Sequence, residues 1–221
     1  MVGAAARGGK IPEDSSRGSG AVLAKNSRNS ARNSVRNSVR IIGGTWRSRV
    51  IRFPDASGPG LRPSPDRVRE TLFNWLGQDL TGLACLDLFA GSGALGFEAA
   101  SRGASGVVMV EAAPETAAAL RANAKLLQAK SWRLVAGDAL EFLRSHRGAH
   151  HDALFDVVFV DPPFGSGLIG RVLPLLPALL APGARVYVES GETLALPAGW
   201  QVLRQGRAGV VWYHLLQRDP T

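Results

Sequence analysis

From position 83 to 189 the chain switches repeatedly between two hydrophobic periods. Short apolar or β-branched runs at 83–89, 106–111, 132–136, 155–160 and 185–189 alternate with helically spaced segments at 94–102, 114–128, 139–145 and 168–180. Runs apolar at nearly every position, rather than at every second one, predict strands covered on both faces. This α/β alternation therefore predicts a doubly wound, mostly parallel sheet with helices on both sides. The last stretch differs: 201–207 and 210–216 flank Ala208-Gly209 and predict an antiparallel hairpin at the end of a seven-stranded sheet.

Ahead of the sheet, RIIGGTWRSRVIRF at 40–53 alternates apolar and basic residues around Gly43-Gly44, predicting a small hairpin with arginines on one face. The loop PDASGPGLRPSP follows, and Pro65 opens a helix to Leu76. Val68, Leu72, Trp75 and Leu76 form its expected buried stripe, with Arg67, Arg69 and Glu70 elsewhere on the helix. Residues 1–38 carry an RNS repeat at 28–39 among Gly, Ala, Ser, Asn and Arg, and so predict a disordered basic tail. The expected division is thus a tail (1–38), an RNA-facing hairpin and helix (39–80), and a catalytic domain (81–221).

Charge sharpens this division. The net charge is +8, yet residues 1–69 hold 14 Lys/Arg against 4 Asp/Glu (+10), leaving 12 against 14 (−2) for the rest. A localised positive segment suits a polyanion such as nucleic acid. Cys85 is the only cysteine, which excludes an intramolecular disulfide and a cysteine zinc cluster, and its apolar run argues against a nucleophilic thiol of the kind cytosine-C5 methylation needs. His146, His150 and His151 have no acid or cysteine at ligand spacing, so no metal site is expected. No run reaches the ~18 apolar residues of a membrane span, and a soluble protein of a reducing, cytoplasmic compartment is expected.

Two motifs carry chemistry. FAGSGALG at 89–96 places Gly91, Gly93 and Gly96 as GxGxxG directly after the first strand of the alternation and at a helix start. Loop N–H groups there could meet a pyrophosphate or the carboxylate of a methionine moiety. Glu111 ends the next strand, 20 residues after Gly91, where an acid takes ribose hydroxyls. Asp87 lies inside the first strand, able to order the loop and face a cation, and Asp138 follows the third strand, as an adenine acceptor or as a helix cap. Phe89, Ala90, Ser92, Leu95, Ala112 and Ala139 complete the candidate cofactor site.

The second motif is Asp161-Pro162-Pro163-Phe164, after the strand at 155–160. Ligands of open α/β sheets bind beyond the carboxyl ends of the strands. An exocyclic amine is a weak nucleophile because its lone pair is delocalised into the ring. The Asp161 carboxylate and the Pro162 carbonyl could hold both its hydrogens, which pyramidalises the nitrogen and aims the lone pair. The prolines stiffen the loop, and Phe164 offers a stacking face for an extruded base.

These residues resemble the RsmD-type bacterial methyltransferases in RIIGGTWR (40–47), LRPSPDRVRETLFNWL (61–76), LDLFAGSGALGFEAASRGA (86–104), FVDPPF (159–164) and YVES (187–190). The resemblance covers about 40–216 and implies a class I methyltransferase (Rossmann-like) fold, S-adenosyl-L-methionine as cofactor, and N2 methylation of guanine 966 in 16S ribosomal RNA of an assembling small subunit, by a monomer. Arg40, Arg47, Arg49, Arg52, Arg62, Arg67 and Arg69 are then the RNA-contact candidates. An amino-methyltransferase for another base or a protein glutamine is the alternative. An assembly factor without catalysis and an NAD-dependent oxidoreductase fit the residues less well.

Overall fold

A computed structural model describes residues 37–54, 65–145 and 154–219. The RNS repeat up to residue 36, Arg62 and the three loop histidines lie outside the described residues. Two short strands, β1 (Ser38–Arg40) and β2 (Val50–Arg52), pair antiparallel, and helix α1 (Asp66–Leu76) follows. Then come β3 (Ala84–Asp87), α2 (Ala94–Ser101), β4 (Gly106–Glu111), α3 (Pro114–Leu127), β5 (Trp132–Ala136), α4 (Ala139–Ser145) and β6 (Phe155–Val160). The chain continues through α5 (Leu168–Val172), a 3-10 turn (Leu176–Leu179), β7 (Leu180–Ser190), β8 (Trp200–Ala208) and β9 (Val211–Arg218).

The seven-stranded sheet runs β5-β4-β3-β6-β7-β9-β8, parallel except for β9, which is antiparallel to both its neighbours. With the C-terminal antiparallel hairpin and the small N-terminal hairpin, this is the class I methyltransferase fold. Chain order reverses between β3 and β6, and this is where such sheets open a crevice. Alternation along the strands sends Cys85, Met109, Val157, Phe159, Tyr187 and Leu215 to one core, and Leu86, Val110, Val158, Val160, Val188 and Leu216 to the other. The N-terminal hairpin and α1 join the first core through Val39, Ile41, Ile51, Val68, Leu72 and Phe73.

Two elements depart from expectation. The segment 168–180 does not form one helix: α5 stops at Val172, Leu176–Leu179 is a 3-10 turn, and β7 starts at Leu180. Pro174 and Pro177 account for the break, since each lacks an N–H and clashes with a preceding helical carbonyl. The buried side of α1 is also rotated. At about 100° per residue, Val68, Leu72, Leu76, Arg69 and Phe73 share an arc of roughly 140°, and these five are the buried ones, whereas Trp75 is half-buried against Tyr213.

Arg69 is buried within that arc because Glu98 of α2 lies opposite. Glu98 has no exposed side-chain surface and accepts the backbone N–H of Ile42 (2.8 Å) and Gly43 (2.7 Å). It also pairs with Arg69 Nη1 (3.3 Å) and Arg102 Nη2 (2.8 Å). Arg69 Nη2 reaches Asp66 (2.7 Å) and the carbonyl of Arg40 (2.8 Å). Ser101 adds a bond to the Gly43 carbonyl (2.6 Å) and accepts the N–H of Trp46 (2.9 Å). Gly44, at φ +74°, lies so close that a Cβ would run into the Ser101 carbonyl. The hairpin turn is thereby fixed to the C-terminal end of α2.

Candidate functional site

The loop after β3 is held by both neighbouring strands. Leu88 N–H donates to the carbonyl of Phe159 (3.0 Å) and Ala90 N–H to that of Val110 (2.9 Å). Gly93 caps α2 in the left-handed conformation (φ +79°), where a Cβ would lie 2.6 Å from Leu120 and 2.7 Å from the Phe97 ring. Gly96 N–H donates to Asp87 Oδ2 (2.9 Å), and Gly91 N–H to Glu111 Oε2 (2.8 Å). Glu111 Oε1 also accepts from Ala113 N–H (2.7 Å). Carboxyl groups therefore already meet the loop amides, which leaves the Gly91 and Gly96 N–H donors taken where a pyrophosphate would need them.

Asp87 is buried, and burial pushes its carboxyl up to about 7, the Gly96 bond opposing and Glu111 adding to the rise. A buried acid of this kind gains most from a cation beside it. Asp138 Oδ1 accepts the N–H groups of Leu140 (2.9 Å) and Glu141 (3.0 Å), so it caps α4. Its side chain is exposed at the carboxyl end of β5, which leaves a helix cap compatible with a ligand contact through Oδ2. Among the candidate cofactor residues, Ala90, Ser92, Gly93, Leu95, Gly96 and Ala139 are buried, Phe89, Gly91 and Glu111 are half-buried, and Ala112 is exposed.

Asp161 to Phe164 leaves β6 at the same end of the sheet, across the reversal point from the glycine loop. Asp161 is half-buried, Pro162 buried and Phe164 47% exposed, so the aromatic ring is presented to solvent. The Phe164 ring lies against the end of β7, 3.6 Å from where a Cβ of Gly191 would stand. Sequence reasoning assigned no role to Tyr187 and Glu189 on that strand. Both are buried, and the Tyr187 hydroxyl donates to Glu189 Oε1 at 2.8 Å. The available signal was an acid in the apolar run RVYVES.

Arg69 must be withdrawn from the RNA-contact candidates, because its guanidinium is buried in the Glu98 cluster and unavailable to phosphate. Arg40, Arg47, Arg49, Arg52 and Arg67 are exposed. Arg47 and Arg49 sit in the hairpin turn beside the far ends of α2 and α3, where Arg49 reaches the Leu126 carbonyl (3.4 Å). Eight helical residues at ~1.5 Å each put about 12 Å between that turn and the glycine loop. Cys85 is buried and its thiol is pushed up to about 12 by burial first, then by Asp156 and Asp87. Among the described residues no group of three or more His, Cys, Asp or Glu could hold a metal ion, and no helix is long and apolar enough to cross a membrane.

A family model described as conserved hypothetical protein 95 matches residues 39–217. The ribosomal RNA small subunit methyltransferase D of Escherichia coli is 46% identical over 185 residues, which is 81% of this chain and 90% of that protein. The protein of the same name from Haemophilus influenzae is 41% identical over 184 residues, 80% and 93% of the two chains. The solved structure of the Escherichia coli protein yhhF superposes with a TM-score of 0.73 at 43% identity, covering 84% of this chain and all of the other.

Proposed function

Because the chain belongs to the conserved hypothetical protein 95 family, the RsmD family of small-subunit ribosomal RNA methyltransferases, we propose that it methylates the exocyclic N2 amine of a guanine in 16S ribosomal RNA. S-adenosyl-L-methionine supplies an electrophilic methyl group on a sulfonium centre. One observation carries the choice of this cofactor over a dinucleotide: the loop amides of Gly91 and Gly96 are already taken by the Glu111 and Asp87 carboxylates. Those amides are not free to hold a pyrophosphate, and the acids beside them suit a cationic ligand, which would itself favour the ionised form of Asp87. Asp87 orders the loop and faces the cationic end, Glu111 keeps lone pairs for ribose hydroxyls, and Asp138 keeps Oδ2 for a nucleobase amine.

On the substrate side, the Asp161 carboxylate and the Pro162 carbonyl each accept one hydrogen of the amine. The two bonds hold the nitrogen pyramidal with its lone pair in line for displacement, a gain of positioning and electrostatics rather than of covalent chemistry. Phe164, exposed beside them, stacks on the extruded base. The exposed arginines of the hairpin and α1 contact phosphates at a distance from the reaction centre and supply salt-sensitive affinity.

The test is methyl transfer from labelled S-adenosyl-L-methionine to small ribosomal particles lacking the modification, followed by nucleoside analysis. N2-methylguanosine is the expected product, with Asp161→Ala reducing kcat by roughly 100-fold or more. A different methylated nucleoside, label in protein, or an Asp161→Ala variant of unchanged rate would overturn the assignment.

A further inference from the structure

Next to the Asp161 loop lies a second carboxylate that amine methylation leaves without a task. β6 and β7 pair in parallel with Phe159 opposite Tyr187 and Val160 opposite Val188, so Asp161 leaves the end of β6 beside the next position of β7, Glu189. Alternation along the two strands sends both to the face that carries Phe159 and Tyr187. Glu189 is only 3% exposed, and a buried carboxylate carries a large desolvation cost unless donors meet it. Tyr187, itself without exposed surface, donates one such bond. Burial first, and the nearby Glu189 second, push the Tyr187 hydroxyl well above its ordinary range, so it stays protonated and keeps donating. Two residues beyond Glu189, Gly191 receives the Phe164 ring, so the reaction loop and the end of β7 form one wall.

Resting on the guanine-N2 reading above, we infer that Glu189, oriented by Tyr187, is a specificity-determining residue that accepts the N1–H of the target guanine while Asp161 and Pro162 hold its amine. The Watson–Crick edge of guanine carries adjacent donors at N1 and N2. Two neighbouring carboxylates match that pair. Adenine and 2-aminopurine have a bare lone pair at N1, which would meet the Glu189 carboxylate as acceptor against acceptor. A site built around a donor discriminates strongly against analogues that lack it.

The experiment uses small ribosomal particles reconstituted with RNA bearing either guanine or 2-aminopurine at the methylated position, which is first mapped with the wild-type protein. 2-Aminopurine retains the exocyclic amine but has no N1–H. The wild type is expected to prefer guanine by 100-fold or more in kcat/KM. Glu189→Ala should reduce that preference to within 10-fold, chiefly by lowering the guanine value, with labelled S-adenosyl-L-methionine binding retained. Tyr187→Phe, which keeps the ring and removes the donor, should give an intermediate ratio and covers the case in which the Glu189 variant fails to fold. An unchanged preference in Glu189→Ala, or in Tyr187→Phe where only that variant folds, would overturn the inference. A wild type that methylates neither substrate refutes the guanine-N2 reading instead, before any variant is compared.

Discussion

Glu98 offers the most severe test of how the basic hairpin is attached to the catalytic sheet. Its carboxylate, without exposed surface, meets four donors: two backbone N–H groups of the hairpin turn, the Arg69 guanidinium and the Arg102 guanidinium. Glu98→Ala leaves Arg69, also fully buried, with Asp66 and the Arg40 carbonyl, and strips both turn amides of their acceptor. Removing one partner of a buried ion pair costs about 3–5 kcal/mol. At about 2–4 °C per kcal/mol for a domain of this size, the melting temperature should fall by roughly 6–20 °C. Urea unfolding followed by tryptophan fluorescence measures it directly, since Trp46 and Trp75 pack on the core that the cluster joins. An Arg69→Met, Glu98→Ala double-mutant cycle should show coupling of at least about 1 kcal/mol, because the two groups share one network. A loss under about 1 kcal/mol for Glu98→Ala, or additive effects in the cycle, would refute the view that this cluster fixes the hairpin.

Three further outcomes follow from the site. Asp87, raised to about 7, retains its proton in the folded state between about pH 4 and 7 while the unfolded chain loses it, so stability should fall as pH rises through that window and level off above it. Asp87→Asn should flatten that slope in urea melts, and affinity for S-adenosyl-L-methionine, a cation, should rise through pH 7 in the wild type alone. Gly93→Ala forces a left-handed conformation costing roughly 1–2 kcal/mol and drives a methyl into Phe97 and Leu120, so cofactor Kd measured by calorimetry should rise at least tenfold; an unchanged Kd contradicts the loop geometry. Cys85, buried and held protonated, should resist alkylation by iodoacetamide in the native protein and react fully in urea, and its replacement by Ala should leave kcat within a few-fold.

What could be read from residues alone was whatever depends on local period and spacing. Strands apolar on both faces gave the parallel sheet, and the acid before the glycines together with the prolines after β6 marked its carboxyl edge. The rotation of α1 was not readable, because Arg69 is buried by a residue 29 positions away and no helical period announces such a partner. The prolines at 174 and 177 stand in plain view, but apolar spacing alone does not tell a run that continues through them from one that they end. Glu98 and Glu189 were missed for a different reason. Each is an acid inside an apolar run, in ALGFEAAS and RVYVES, the same feature that singled out Asp87; the buried carboxylate holds the Gly96 N–H at Asp87, the hairpin turn 55 residues away at Glu98, and the Tyr187 hydroxyl of its own strand at Glu189.

That shared feature explains how binding and chemistry are joined in so small a fold. Helix α2 has only eight residues, yet its first turn is tied to β3 by Asp87 through Gly96 N–H, and Glu98, near its other end, holds the hairpin turn. Neither tie is an exposed ion pair, so neither is screened by salt as a phosphate contact is. If the exposed arginines bind RNA as proposed, raising ionic strength should weaken that binding while leaving the spacing between hairpin and glycine loop unaltered. The proposed activity, in which a large polyanion is released after each turnover, calls for that separation between salt-sensitive contacts and a salt-insensitive frame.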